Sequence, residues 1–165
     1  MQKKSGFTLI ELVMIIVILG ILALTAVPKA TTTSSIRLQA ACQKIASDLR
    51  YAQEMSMAQQ VRFGISFDPV NESYFVYRVN IATKVIDPQT RNDFDISFIQ
   101  LNEFKGIDIA STNFSNKMEF DSIGAPYDGN GVILSSQGII TLQTAGGAYS
   151  KTVRIESKTG KVSVQ

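Results

Sequence analysis

The residues placed to do chemistry near the N-terminus are Gly6, Phe7 and Glu11. A small residue directly before Phe7 marks a candidate point of proteolysis. A cut between Gly6 and Phe7 would leave an α-amine, cationic with a pKa near about 8. Glu11 follows Phe7 by four residues and is the only charge between Phe7 and Val27. A carboxylate inside an apolar run needs a partner, and that amine, on the same chain or a neighbour, would be one. Pairing with a neighbour would set the register of helices packed side by side. Burial makes such a pair specific more than strongly stabilising.

The rest of the chain offers less. There is no histidine, which removes the commonest general base, the Ser-His and Cys-His pairs and most transition-metal sites. Cys42 is the only cysteine, so no intrachain disulfide forms, and it reads as a buried structural thiol. Met55 and Met57 read as packing residues. Asp121, Asp128 and Asn130 crowd a Gly-rich stretch. Oxygen ligands suit calcium, but the spacing is not that of an EF-hand, and Asp-Gly and Asn-Gly turn chemistry accounts for the segment. Lys151, Arg154, Lys158 and Lys161 face Glu156 alone near the C-terminus and are the candidate DNA-binding residues. No aromatic platform for bases flanks them, and a solvated strand face is the plainer reading. No motif sets two carboxylates in a cleft. The expectation is a protein that is not an enzyme, with no cofactor and no metal.

The formal net charge is +2. Without Lys3 and Lys4, the 16 basic residues become 14, matching the 14 acidic ones. Generic polyanion binding gains nothing from such a balance.

Glu11 lies within a long apolar stretch. From Phe7 to Val27, isoleucine, leucine and valine would fill every side of a helix about 30 Å long, the thickness of a bilayer core. Lys3 and Lys4 place the N-terminus in the cytoplasm. A cleaved secretory signal fits poorly, because its apolar region is shorter, roughly 7–15 residues. Gly20 and Pro28 lower helical stability in this stretch, and Pro28 reads equally as the end of the span. The segment ATTTSSIRLQ reads as a linker. Apolar positions at Ile36, Ala41, Ile45, Leu49, Ala52 and Met55 then predict an amphipathic helix over about 36–60, with Arg37, Lys44, Asp48 and Glu54 off the stripe. From Val61 the period becomes two. VRFGISF, YFVYRV, DISFIQL, GIDIAST, KMEFDS, GVILSS, IITLQT, KTVRIES and KVSV are the expected strands, the first two joined as a hairpin by DPVNES. Residues 85–94 read as an exposed loop. The fold class is α+β: a long N-terminal helix, membrane-spanning in its first half and amphipathic in its second, packed on antiparallel sheets.

The stretch KKSGFTLIEL resembles the class III leader and junction of type IV pilins and pseudopilins. The match comprises a short basic leader, Gly6 before the cut, Phe7 as new N-terminus, Glu11 and the unbroken apolar run. By that resemblance Gly6 and Phe7 are the leader cleavage site, Phe7 is N-methylated, and Glu11 is the assembly residue. Gly20 and Pro28 are the positions where the helix loosens in a filament. A weaker resemblance covers the soluble half. IASDLRYAQEMSMAQQVRFGISF, FDSIGAPYDGNGVI and VRIESKTGKVSV are similar to segments of H-type minor pseudopilins and FimT-like minor pilins. The C-terminal cysteine pair of major type IV pilins is missing.

The resemblance implies a minor subunit of a type II secretion or type IV pilus filament. It divides the chain into a leader (1–6), a transmembrane and filament-core helix (7–28), the amphipathic half of the helix (29–60) and a β-rich periplasmic domain (61–165). The implied partners are the prepilin peptidase and methyltransferase, major and minor pilins or pseudopilins, the inner membrane, and secreted cargo or an outer-membrane secretin. Two alternatives stand beside it: a DNA-binding minor pilin of natural transformation, and a stand-alone signal-anchored periplasmic interaction domain.

Overall fold

The structure is a computed structural model. It describes residues 8–26 and 30–165, with side chains at 8–22 and 33–165. The chain divides into two units between Thr31 and Thr32.

In the first unit lies α1, Leu9–Ala26. The second helix, α2, runs Ala30–Gln59, so the ATTTSSIRLQ segment is helical and not a linker. Small, helix-tolerant residues extend a helix whose later turns are held by tertiary packing. The buried stripe is Leu38, Ala41, Cys42, Ile45, Ala46, Leu49 and Ala52. Ile36, expected on that stripe, is 63% exposed, because Leu38 holds the contact with the core from a different face of the first turns. At its C-terminal end Gln60 takes a left-handed φ of 56° and its amide donates to Met57 O at 2.7 Å, which stops the helix and turns the chain into the sheet.

Ten strands follow. In order they are β1 (Phe63–Asp68), β2 (Ser73–Arg78), β3 (Asn80–Lys84), β4 (Asp95–Ser97), β5 (Ile107–Thr112), β6 (Lys117–Phe120), β7 (Pro126–Asp128), β8 (Gly138–Thr144), β9 (Ser150–Ile155) and β10 (Val162–Val164). One sheet has the order β3-β2-β1-β6-β7, with β4 sharing the outer edge of β2; the other is β10-β9-β8-β5. All pairings are antiparallel. One hydrophobic core joins both sheets to α2, including Leu49, Ile65, Phe120, Ile140 and Val153. On the other face of the first sheet, Gly64 stands opposite Tyr77, and a Cβ on Gly64 would lie 2.6 Å from the Tyr77 ring. The ring therefore covers the glycine, and its hydroxyl donates to Glu119 at 2.7 Å.

Three further expectations change. GVILSS is not a strand. The Asp128 carboxylate accepts the amides of Asn130 and Val132 at 3.0 and 2.9 Å, so these residues fold back on β7 with a single bridge from Ile133 to Tyr127. Residues 85–94 are not wholly an exposed loop. Phe94 and Asp87 are buried, and the Phe94 ring lies 5.5 Å from that of Tyr51. Phe94 is drawn in by the helix aromatic and by Lys44, whose ammonium sits 5.0 Å over it. Asp48, placed off the stripe by its charge, is buried, and its carboxylate accepts from Tyr74 Oη at 2.7 Å and Lys44 Nζ at 2.8 Å.

Burial raises the Asp48 carboxyl above its ordinary range, against the lowering pull of Lys44 and Tyr74. An acid that binds its proton more tightly in the fold contributes fully below the ordinary carboxylate range, and its contribution is lost as pH rises through the folded value. Asp48→Asn is therefore expected to gain stability relative to the native chain as pH climbs through that window. Asp48→Ala leaves the Tyr74 hydroxyl buried without an acceptor and is expected to cost about 2 kcal/mol. Denaturant unfolding at several pH values checks both; a pH-independent difference for Asp48→Asn would sink the linkage.

Candidate functional site

Glu11 sits in the first turn of α1. Thr8 caps that turn: its carbonyl accepts from the amides of Glu11 and Leu12 at 3.1 and 3.2 Å, and its hydroxyl accepts from Glu11 N at 3.4 Å. The spacing Thr8-x-x-Glu11 is the capping-box pattern. It was legible in the sequence and is the signal that places the helix start. The cap puts the Glu11 carboxylate at the positive end of the helix dipole, a gain of about 0.3–1 kcal/mol. A charge held at mid-membrane costs up to about 3 kcal/mol. The dipole alone does not offset that, so Glu11 in lipid still calls for a cation.

Side chains from Leu9 to Leu22 are exposed on every face of α1, Leu9 at 82% and Ile21 at 60%. Nothing lies within 4 Å of where a Cβ on Gly20 would stand. Gly6, Phe7 and Pro28 lie outside the described residues. Among the described residues no helix is long and apolar enough to cross a membrane; the described side chains of α1 end at Leu22.

The four basic residues near the C-terminus do not form one surface. Val153 and Ile155 point into the core, so Lys151 shares their side of β9 while Arg154 stands on the opposite face, its Nε buried without a hydrogen-bond partner among the described residues. Arg154 stands opposite Ser163. Lys158 lies in the turn after β9, and Lys161 stands opposite Glu156, whose amide donates to the Lys161 carbonyl at 3.0 Å. The Asp121 carboxylate accepts the amides of Ile123 and Ala125 at 3.0 and 2.8 Å. Asp121 and Asp128 are thus both engaged in turn geometry. Burial raises the Cys42 thiol to about 11, the state of an inert core residue.

The three soluble segments singled out by resemblance meet at one place. From α2, Gln53 Nε2 donates to Gly124 O and Thr159 O, each at 2.9 Å. Arg50 reaches Val162 O at 3.0 Å, and Gln60 reaches Ser122 O at 3.2 Å. The last turns of α2 thereby hold the β6–β7 turn and the β9–β10 turn together. Long-range hydrogen bonds of this kind have no local sequence signal beyond the polar face of the helix.

Comparisons with known proteins agree with this anatomy. The family profile described as the Prokaryotic N-terminal methylation motif matches residues 1–27. The fold is similar to the minor pseudopilin EpsH from the Type 2 Secretion System of Vibrio cholerae, with TM-score 0.58 at 10% identity over 78% of this chain and 96% of that one. It is also similar to the type IV minor pilin FimU of Pseudomonas aeruginosa, with TM-score 0.56 at 13% identity over 81% of this chain and 92% of that one. No curated protein sequence matches the chain. At these identities the structural likeness establishes a shared fold. The chain carries a prepilin-like N-terminal methylation motif and a pilin-like α+β fold.

Proposed function

We propose that the chain is a structural subunit of a type II secretion or type IV pilus filament, and within that class a minor, H-type subunit. The observation that carries this reading is the methylation motif at residues 1–27 in front of a domain with the pilin-like fold. The described α1 side chains, apolar except for Glu11 and exposed on all faces, support a helix that is covered first by lipid and then by other subunits. Lys3 and Lys4 favour a cytoplasmic N-terminus and a periplasmic β-rich domain. In this reading a prepilin peptidase cuts between Gly6 and Phe7 and methylates the Phe7 amine. The chain waits in the inner membrane as a single-pass protein and then packs α1 among those of major and minor pilins or pseudopilins. Glu11 of one subunit meets a Phe7 amine. The mechanism is assembly, with no reaction of the chain's own. Secreted cargo or an outer-membrane secretin would meet the β-rich domain.

Intact mass and terminal sequencing of the chain from its native membrane test this. The expected mature chain begins at N-methyl-Phe7, and Gly6→Leu is expected to accumulate uncut because the cleavage position takes a small residue. A native chain that keeps Met1 to Gly6, or a Gly6→Leu chain of mature length, would overturn the processing step.

A further inference from the structure

We propose that the β1–β2 turn of one copy of this chain seats in a groove at the opposite end of the same hairpin on a second copy. The groove lies between the end of α2, the Phe63–Arg78 end of the hairpin, and the end of β3 with the two residues that follow it. It has a volume of about 330 Å³ and is lined by Met55, Phe63, Val85 and Ile86, with Arg78 and Lys84 on its rim. Beside the apolar side chains and the two cations, Gln59 and Thr83 also line it. Lys84 is paired with Asp95 at 2.5 Å. The Arg78 guanidinium makes no ion pair or hydrogen bond among the described residues.

The backbone beside the groove is held in an unusual state. Val79 has a φ of 65°, rare for a β-branched residue. The register shifts between Tyr77 and Arg78, and Val79 N donates to Arg62 O at 2.9 Å. Strain of this kind gathers where a fold clamps something. Val79 and Ile86 are left 62% and 57% exposed beside the groove.

The complementary feature is on the same molecule. Val70, at the tip of the β1–β2 turn, is 88% exposed. Asp68 beside it holds the turn by accepting the amides of Val70 and Asn71 at 3.1 and 3.2 Å. The tip is therefore an apolar knob with an acidic shoulder, and the groove is an apolar hole with a basic rim. Phe63 pairs with Arg78 at one end of the hairpin and Asp68 with Ser73 at the other, so knob and hole stand about 17 Å apart along the strands. A contact between two different patches of one molecule is heterologous. The contact uses the β-rich unit alone and does not rest on processing at Gly6.

The test is disulfide crosslinking between two differently tagged full-length chains, one carrying Val70→Cys and the other Ile86→Cys, co-expressed and extracted in mild detergent. Cys42 is fully buried and serves as the silent background. The expected result is a mixed pair, reduced roughly tenfold by Arg78→Glu on the groove chain and regained when Asn71→Lys is added to the knob chain. Each variant chain is first matched to the native melting temperature. Equal crosslinking of two Val70→Cys chains, no mixed pair, or crosslinking of the groove chain only to a different protein would overturn the proposal.

Discussion

Glu11→Ala is expected to leave leader removal intact and to cut incorporation into filaments by roughly a hundredfold, as the loss of one partner of a buried ion pair, about 3 kcal/mol, implies. Under the proposed assembly, the stored and the assembled subunit respond oppositely to the substitution. In the membrane pool the substitution removes a carboxylate from an otherwise apolar stretch, which stabilises the stored subunit. In the proposed filament it would leave the cationic Phe7 amine of a neighbour without its counter-charge. The stored state gains and the assembled state loses, so the two effects add. The helix dipole, at about 0.3–1 kcal/mol, is too small to hide them. Thr8 still caps the first turn through its carbonyl and hydroxyl, so α1 keeps its start. The measurement is the ratio of the variant in sheared filaments to that in membranes, with the N-terminus sequenced in both. A native ratio for Glu11→Ala would sink the pairing.

Gly160→Ala is expected to be strongly destabilising for a single added methyl group. Gly160 has a φ of 66°, and a Cβ there would stand 2.5 Å from Gln53 Nε2 and 2.6 Å from Gly124 O. The left-handed backbone costs an alanine about 1 kcal/mol. The methyl also displaces the Gln53 amide, which donates to both Gly124 O and Thr159 O, at about 1 kcal/mol for each bond. The total is about 3 kcal/mol, or about 10 °C in melting temperature for a domain of this size. Gly131 provides the contrast. Its φ is 75°, but nothing lies within 4 Å of an added Cβ, so Gly131→Ala is expected to cost about 1 kcal/mol. Thermal unfolding of the two variants checks the difference; equal losses would show that the contact with Gln53 carries no weight.

What the chain determined locally was readable from its residues. The apolar run after Glu11, the period-two stretches and the Asp and Asn turns all act over a few residues, so α1, most strands and the β1–β2 hairpin follow from pattern. The capping pattern Thr8-x-x-Glu11 belongs to the same class. Tertiary structure decided the rest. Asp48 carries a charge, and only the burial of Tyr74 beside it makes that position interior. Phe94 sits among polar residues, and only Tyr51 and Lys44 draw it inward. Val132 and Ile133 have strand-forming side chains, yet the Asp128 carboxylate claims the local amides. Lys151 and Arg154 are near in sequence, and the alternation of β9 sends them to opposite faces. The joining of the two turns by Gln53 depends on residues far apart in the chain. Such contacts form only after loop closure has brought their segments together, and nothing within a short window of sequence encodes their partners.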